Sequence, residues 1–153
     1  MQKRAKNAIA VTVGLVIAFA VVFSFDYTDS YVSDRFHKAV ESGQYVKGEG
    51  FSLDAFLQYY DWDTVCVTVP YCEHDFKNRL GLPYEHAAVG DTLWSLVFVK
   101  DDYVVAEIPI ERRFIEFPLD LEENCFDRWS AIISIDDNAA ATNSDLRLTF
   151  TDI

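Results

Sequence analysis

Apolar positions change period along this chain, from an unbroken run to helical spacing and then to alternation. Residues 8–25, AIAVTVGLVIAFAVVFSF, carry no charge. At 1.5 Å per residue a helix of that length spans about 27 Å, close to a hydrocarbon core. From Asp29 to Gly43, Val32, Phe36, Ala39 and Val40 recur at helical spacing, with Asp29 or Ser30 to cap the start and Gly43 to end it. A second helix is expected after Ser52, with Phe51 and Phe56 at the positions of a hydrophobic staple and Leu53, Phe56, Leu57 and Tyr60 along one face. A third is expected from Glu73 to Leu80, stopped by Gly81 and Pro83.

Alternation marks the strands. Val65, Val67 and Val69 alternate with Cys66 and Thr68 before Pro70. Leu93 to Val99 and Tyr103 to Pro109 flank Asp101-Asp102 as a hairpin, with Val104, Ala106, Ile108 and Ile110 expected as one inward row. Arg112 to Phe117 extends or bends that strand. Trp129, Ala131, Ile133 and Ile135 form one further run, and Leu146, Leu148 and Phe150 another, separated by a polar loop from Asp136 to Asp145. The expected fold class is α+β: an N-terminal transmembrane helix, then an antiparallel sheet of about five strands with two or three helices packed on one face.

Charge adds a direction. Lys3, Arg4 and Lys6 precede the apolar run and no acid occurs before Asp26. The excess of basic residues predicts a cytoplasmic tail over 1–7, a transmembrane anchor over 8–25 and an extracytoplasmic domain over 26–153, held at the plasma membrane as a single-pass protein. A cleaved signal peptide competes with this reading, but the run is long for one and its small-x-small triplet, Ala18-Phe19-Ala20, lies inside it. The chain has a net charge of -12, and an acidic surface of that kind argues against nucleic acid as a partner.

Candidate chemistry is sparse. Cys72-Glu73-His74-Asp75 is the densest group of potential ligands, but neighbours on a helix point apart, so a helix start with first-turn acids is expected. No setting pairs Cys72 with His37, His74 or His86 as a nucleophile and base. The doublets Asp61-x-Asp63, Asp101-Asp102 and Asp136-Asp137 read as solvated turns, Trp62 and Trp129 as core residues, and Arg112-Arg113 as a solvated strand edge. No catalytic, cofactor-binding or metal-binding residue is expected. Three cysteines, Cys66, Cys72 and Cys125, predict one bridge whose connectivity spacing alone leaves open.

Trp62-Asp63, Val65-Cys66, Pro70-Tyr71, Leu80-Gly81, the Leu96 to Val99 strand with Val104 to Ala106, and Cys125-Phe126-Asp127-Arg128 together resemble a family of small exported or membrane-anchored bacterial proteins without an assigned activity. The resemblance covers Asp61 to Arg128. It implies an extracytoplasmic domain with a disulfide between Cys66 and Cys125, and no catalytic residue. Asp102 departs from the family, where glycine is more usual, as does the apolar anchor in place of a lipid-modified cysteine. The function expected is a non-enzymatic binding or structural module of the cell envelope, with an envelope protein as partner. The alternative is a hydrolase or metal-dependent enzyme working through acidic side chains.

Overall fold

The computed structural model describes residues 11–17, 30–43, 48–55, 57–69, 75–87, 90–116, 124–137 and 146–151. Residues 11–17 (α1) and 30–41 (α2) are helical. Among the described residues eight strands follow: β1 Phe51–Ser52, β2 Thr64–Thr68, β3 Leu93–Lys100, β4 Tyr103–Glu111, β5 Ile115–Glu116, β6 Cys125–Asp127, β7 Ile132–Asp137 and β8 Leu146–Phe150. They form two four-stranded sheets, ordered β1-β7-β8-β5 and β4-β3-β2-β6. All neighbours are antiparallel except β5 and β8, which run parallel.

The single-sheet α+β expectation is therefore corrected to two sheets sharing one core. Among the described residues no helix is long and apolar enough to cross a membrane. Within the expected anchor, residues 11–17 are helical. Residues 8–10 and 18–25 lie outside the described residues. The single-pass plasma-membrane placement is corrected on the same ground.

The inner faces are legible from alternation. Val65 and Val67 of β2, Trp94, Leu96 and Phe98 of β3, and Ala106, Ile108 and Ile110 of β4 meet Ile133, Ile135 and Leu148 of the other sheet in one buried cluster. Val32, Phe36 and Ala39 of α2 close its side. The sheets are tied by the Trp94 indole, which donates to the Ile115 carbonyl at 3.0 Å, and by the Phe126 and Phe150 rings, stacked 4.0 Å apart.

The β3–β4 hairpin forms as expected, with Asp101 at φ 53° in its two-residue turn. The expected inward row does not survive intact. Phe98 pairs with Ala106 but Val99 pairs with Val104, so Val105 is an extra residue in a bulge. One inserted residue reverses side-chain alternation. Val104 consequently joins Val97 and Val99 in a second, smaller cluster on the outer face, with Phe76 and Tyr84 packed on it.

Two helix expectations fail for local reasons. After Ser52 the chain makes only a 3-10 turn, Leu53–Ala55. Phe51 and Ser52 are drawn into pairing with Ile133 and Ile132, and the Leu53 amide donates to the Ala131 carbonyl at 2.9 Å. The Ser52 hydroxyl still caps the turn, accepting from the Asp54 amide at 3.2 Å; Phe56 lies outside the described residues. Residues 75–80 are not helical, because Asn78 Oδ1 accepts from the amides of Leu80 and Leu82 at 2.9 and 3.1 Å. A side chain that satisfies nearby amides competes with the helix ladder. Trp129 belongs to a turn before β7, with 85% of its surface exposed, and is not a core residue.

Candidate functional site

Helix α2 buries Val32, Phe36 and Ala39, and Ser33, His37 and Glu41 form the adjoining stripe at i, i+4 and i+8. That stripe makes one wall of an open cleft of about 650 Å³. The opposite wall comes from the far end of the β3–β4 hairpin: Leu93, Pro109, Glu111, Arg113 and Phe114, with Ala87 at the side. A second hollow of about 550 Å³, lined by Asp91, Thr92 and Arg112, shares Leu93, Glu111 and Arg113 with the first.

The geometry follows from β4 being a sheet edge. The Arg112 amide donates to Thr92, so in an antiparallel ladder Glu111, Pro109 and Glu107 turn their backbone groups away from β3. Pro109 has no N–H to leave open there, and its carbonyl accepts from His37 Nε2 at 3.3 Å. A carbonyl only accepts, so the proton resides on Nε2, leaving Nδ1 as the acceptor of the neutral ring. The ring lies 5.4 Å from that of Phe114. Glu111 accepts from Arg113 Nε on the same wall. Polar groups thus converge over an apolar floor of Leu93, Pro109 and Phe114, at a volume typical of small-molecule sites.

The cleft's side wall is fastened from beneath. Residues 75–87 fold over the outer face of the second sheet, where Lys77 bridges to Tyr103 and Pro83. Glu107, buried on that face, accepts from the Tyr84 hydroxyl at 2.7 Å and from the Ala87 amide at 2.8 Å. The buried carboxylate is thereby compensated and holds Ala87 at the cleft.

Cys66 and Cys125 stand directly opposite on β2 and β6 and are joined by a disulfide. Cys66 lies between the inward-facing Val65 and Val67, which puts the bridge on the outer face. Cys72, Glu73 and His74 lie outside the described residues. The acidic doublets are partly brought together: Lys100 pairs with Asp63 at 2.7 Å and Asp61 at 3.3 Å, the Asp101 amide reaches Asp63 at 3.4 Å, and Lys77 pairs with Asp102 at 3.1 Å. The Lys100 hydrogen bond holds the Asp63 carboxyl below its ordinary value, and the same contact raises Lys100. Two lysines thus engage Asp61, Asp63 and Asp102 at the hairpin tip, which is not a carboxylate pair left facing a cleft. Among the described residues no three His, Cys, Asp or Glu are grouped to hold a metal.

Sequence reasoning missed the cleft residues. Ser33, His37 and Glu41 do show the four-residue spacing of a helix stripe, but the same pattern marks any solvated face until its packing partner is known. Arg112-Arg113, expected as a solvated strand edge, falls in the turn after β4, where Arg113 donates to Glu111. The residues carrying the family resemblance lie largely in the second sheet, away from this cleft. No family model, no curated protein and no solved structure matches the chain.

Proposed function

We propose that this domain is a binding module that takes a small polar molecule with an apolar flank in the cleft between α2 and the β3–β4 hairpin. One observation carries the reading: His37, Glu41, Glu111 and Arg113 are set around the apolar floor of Leu93, Pro109 and Phe114. Arg113 supplies hydrogen-bond donors, His37 Nδ1, Glu41 and Glu111 supply acceptors, and the floor takes up buried apolar area. The His37 ring is oriented by the Pro109 carbonyl before a ligand arrives, so little ordering cost falls on binding.

Retention of a ligand without turnover fits the groups present. Asp61, Asp63, Asp101 and Asp102 are committed to the hairpin tip and do not line the cleft. The test is a fragment screen by amide-resolved NMR on the full chain, using single amino acids, nucleosides and monosaccharides as probes. Saturable shifts confined to residues 33–41, 87, 90–93 and 110–114, and lost in His37→Ala/Glu111→Ala, are expected. If no probe class perturbs those amides, or if the double variant binds as well as the parent, the reading is wrong.

A further inference from the structure

Two turns lie side by side next to the hairpin tip, and each presents one aromatic ring to solvent. The first, residues 57–60, closes with the Tyr60 amide on the Leu57 carbonyl at 2.9 Å and carries Tyr59, 91% exposed. The second, residues 127–130, closes with the Ser130 amide and hydroxyl both on the Asp127 carbonyl, at 2.9 and 3.1 Å, and carries Trp129. Single exposed aromatics are ordinary. What sets these apart is that one guanidinium clamps both turns.

Arg128 pairs with Asp54 at 2.5 Å, donates to the carbonyls of Tyr60 at 3.2 Å and Trp62 at 3.1 Å, and lies over the Trp62 ring at 5.0 Å. Its own amide donates to Asp63 at 2.7 Å. The backbone under Tyr59 and Trp129 is therefore fixed before any contact is made, and a partner has little loop ordering to offset. Rigid, amphipathic rings are the side chains most enriched at the centres of protein interfaces.

The charge around the rings selects the partner. Asp54, Asp61, Asp63 and Asp127 lie in these turns or beside them, against the cations Arg128 and Lys100. Both cations are already engaged by three of the aspartates, and the chain as a whole carries -12. Anionic partners are repelled by that field and cations are drawn in. We infer that the Tyr59 and Trp129 turns form a docking surface for a basic segment of another polypeptide, whose arginine or lysine side chains lie on the two rings and are held by the surplus negative charge of the aspartates. Guanidinium on an exposed indole or phenol face is worth about 0.5 to 1 kcal/mol.

The test uses the full chain and a fluorescently labelled (Arg-Gly)5 peptide, followed by anisotropy at low and at physiological salt, with (Glu-Gly)5 and (Ser-Gly)5 as comparison probes. Saturable binding of the arginine peptide alone is expected, weakened roughly two- to fivefold by Trp129→Ala and by Tyr59→Ala, the equivalent of one exposed cation–π contact each. Trp129→Phe is expected to restore most of the loss. Because both rings are outside the core, an unchanged amide NMR spectrum elsewhere shows that the variants fold. Absence of binding overturns the proposal. So does arginine-peptide binding that falls with salt but ignores both ring substitutions, which is diffuse attraction to an acidic chain. Binding of a neutral oligosaccharide such as chitotetraose that depends on both rings, with no such dependence for the peptide, assigns the surface to sugars instead.

Discussion

Tyr84 and Lys100 show how individual side chains settle buried and exposed charge differently. Glu107 is nearly inaccessible, so its bond from Tyr84 acts in a low-dielectric setting where water offers no replacement. Tyr84→Phe removes one hydrogen bond to a charged group, and a loss of about 1.5 to 3 kcal/mol is expected in urea unfolding. The Ala87 amide should then exchange with solvent faster, since the strap it sits on has lost one of its fasteners. The Lys100–Asp63 pair is exposed, and its effect is one that titration reads. The hydrogen bond from Lys100 places the folded Asp63 carboxyl below the ordinary 3.8. A depressed carboxyl contributes stability that is present above its unfolded value and lost as pH falls through the folded one. Lys100→Met should accordingly move the Asp63 midpoint upward toward 3.8 in a carboxyl-carbon NMR titration. An unmoved midpoint would show that the pair does not persist in solution.

At the scale of elements, the β3–β4 hairpin tests how far local sequence rules carry. Asp101 occupies a left-handed backbone position at φ 53°, a conformation that a residue with a Cβ adopts at a cost. Asp101→Gly keeps the amide contact to Asp63 and relieves that cost, so stability should rise by about 0.5 to 1 kcal/mol, whereas Asp101→Val should lower it by more. The hairpin itself was legible because two alternating runs flank a two-residue polar break. Helix α2 was legible from Val32, Phe36 and Ala39. The bulge at Val105 was not, since Val104-Val105-Ala106 is apolar at every position and supports either register. Division into two sheets was equally hidden, because it depends on which strands pair over long separations: β1 with β7, and β2 with both β3 and β6. Trp129 was misread because Trp129, Ala131, Ile133 and Ile135 fit one alternating run, and only the turn from Asp127 to Ser130 breaks it. The cleft required α2 and the end of β4 to meet, with His37 and Pro109 separated by 72 residues.

For the molecule as a whole, the disulfide joins the adjacent strands β2 and β6, the first and last of the second sheet in chain order, across 59 residues of chain. Strand β6 is three residues long and lies at the sheet edge, so its own ladder with β2 is too short to secure it. Yet β6 carries Phe126, which stacks on Phe150 of the first sheet, and it leads directly into Arg128, which clamps the turns at the other end of Asp61 to Asp63. Loss of the bridge therefore loosens the contact between sheets and the aromatic turns together. Restricting the unfolded chain over a loop of this length is worth about 4 kcal/mol on the chain-entropy account. Cys66→Ala/Cys125→Ala is expected to lower unfolding free energy by about that amount, and to raise exchange at Phe126 and Arg128 before it affects the β3–β4 hairpin. Cys66→Ala alone leaves an unpaired thiol at Cys125 and should match the double variant in stability while gaining one reactive thiol in the folded protein. If the double variant unfolds at the same denaturant concentration as the parent, the bridge contributes nothing and β6 is held by Phe126 and Arg128 alone.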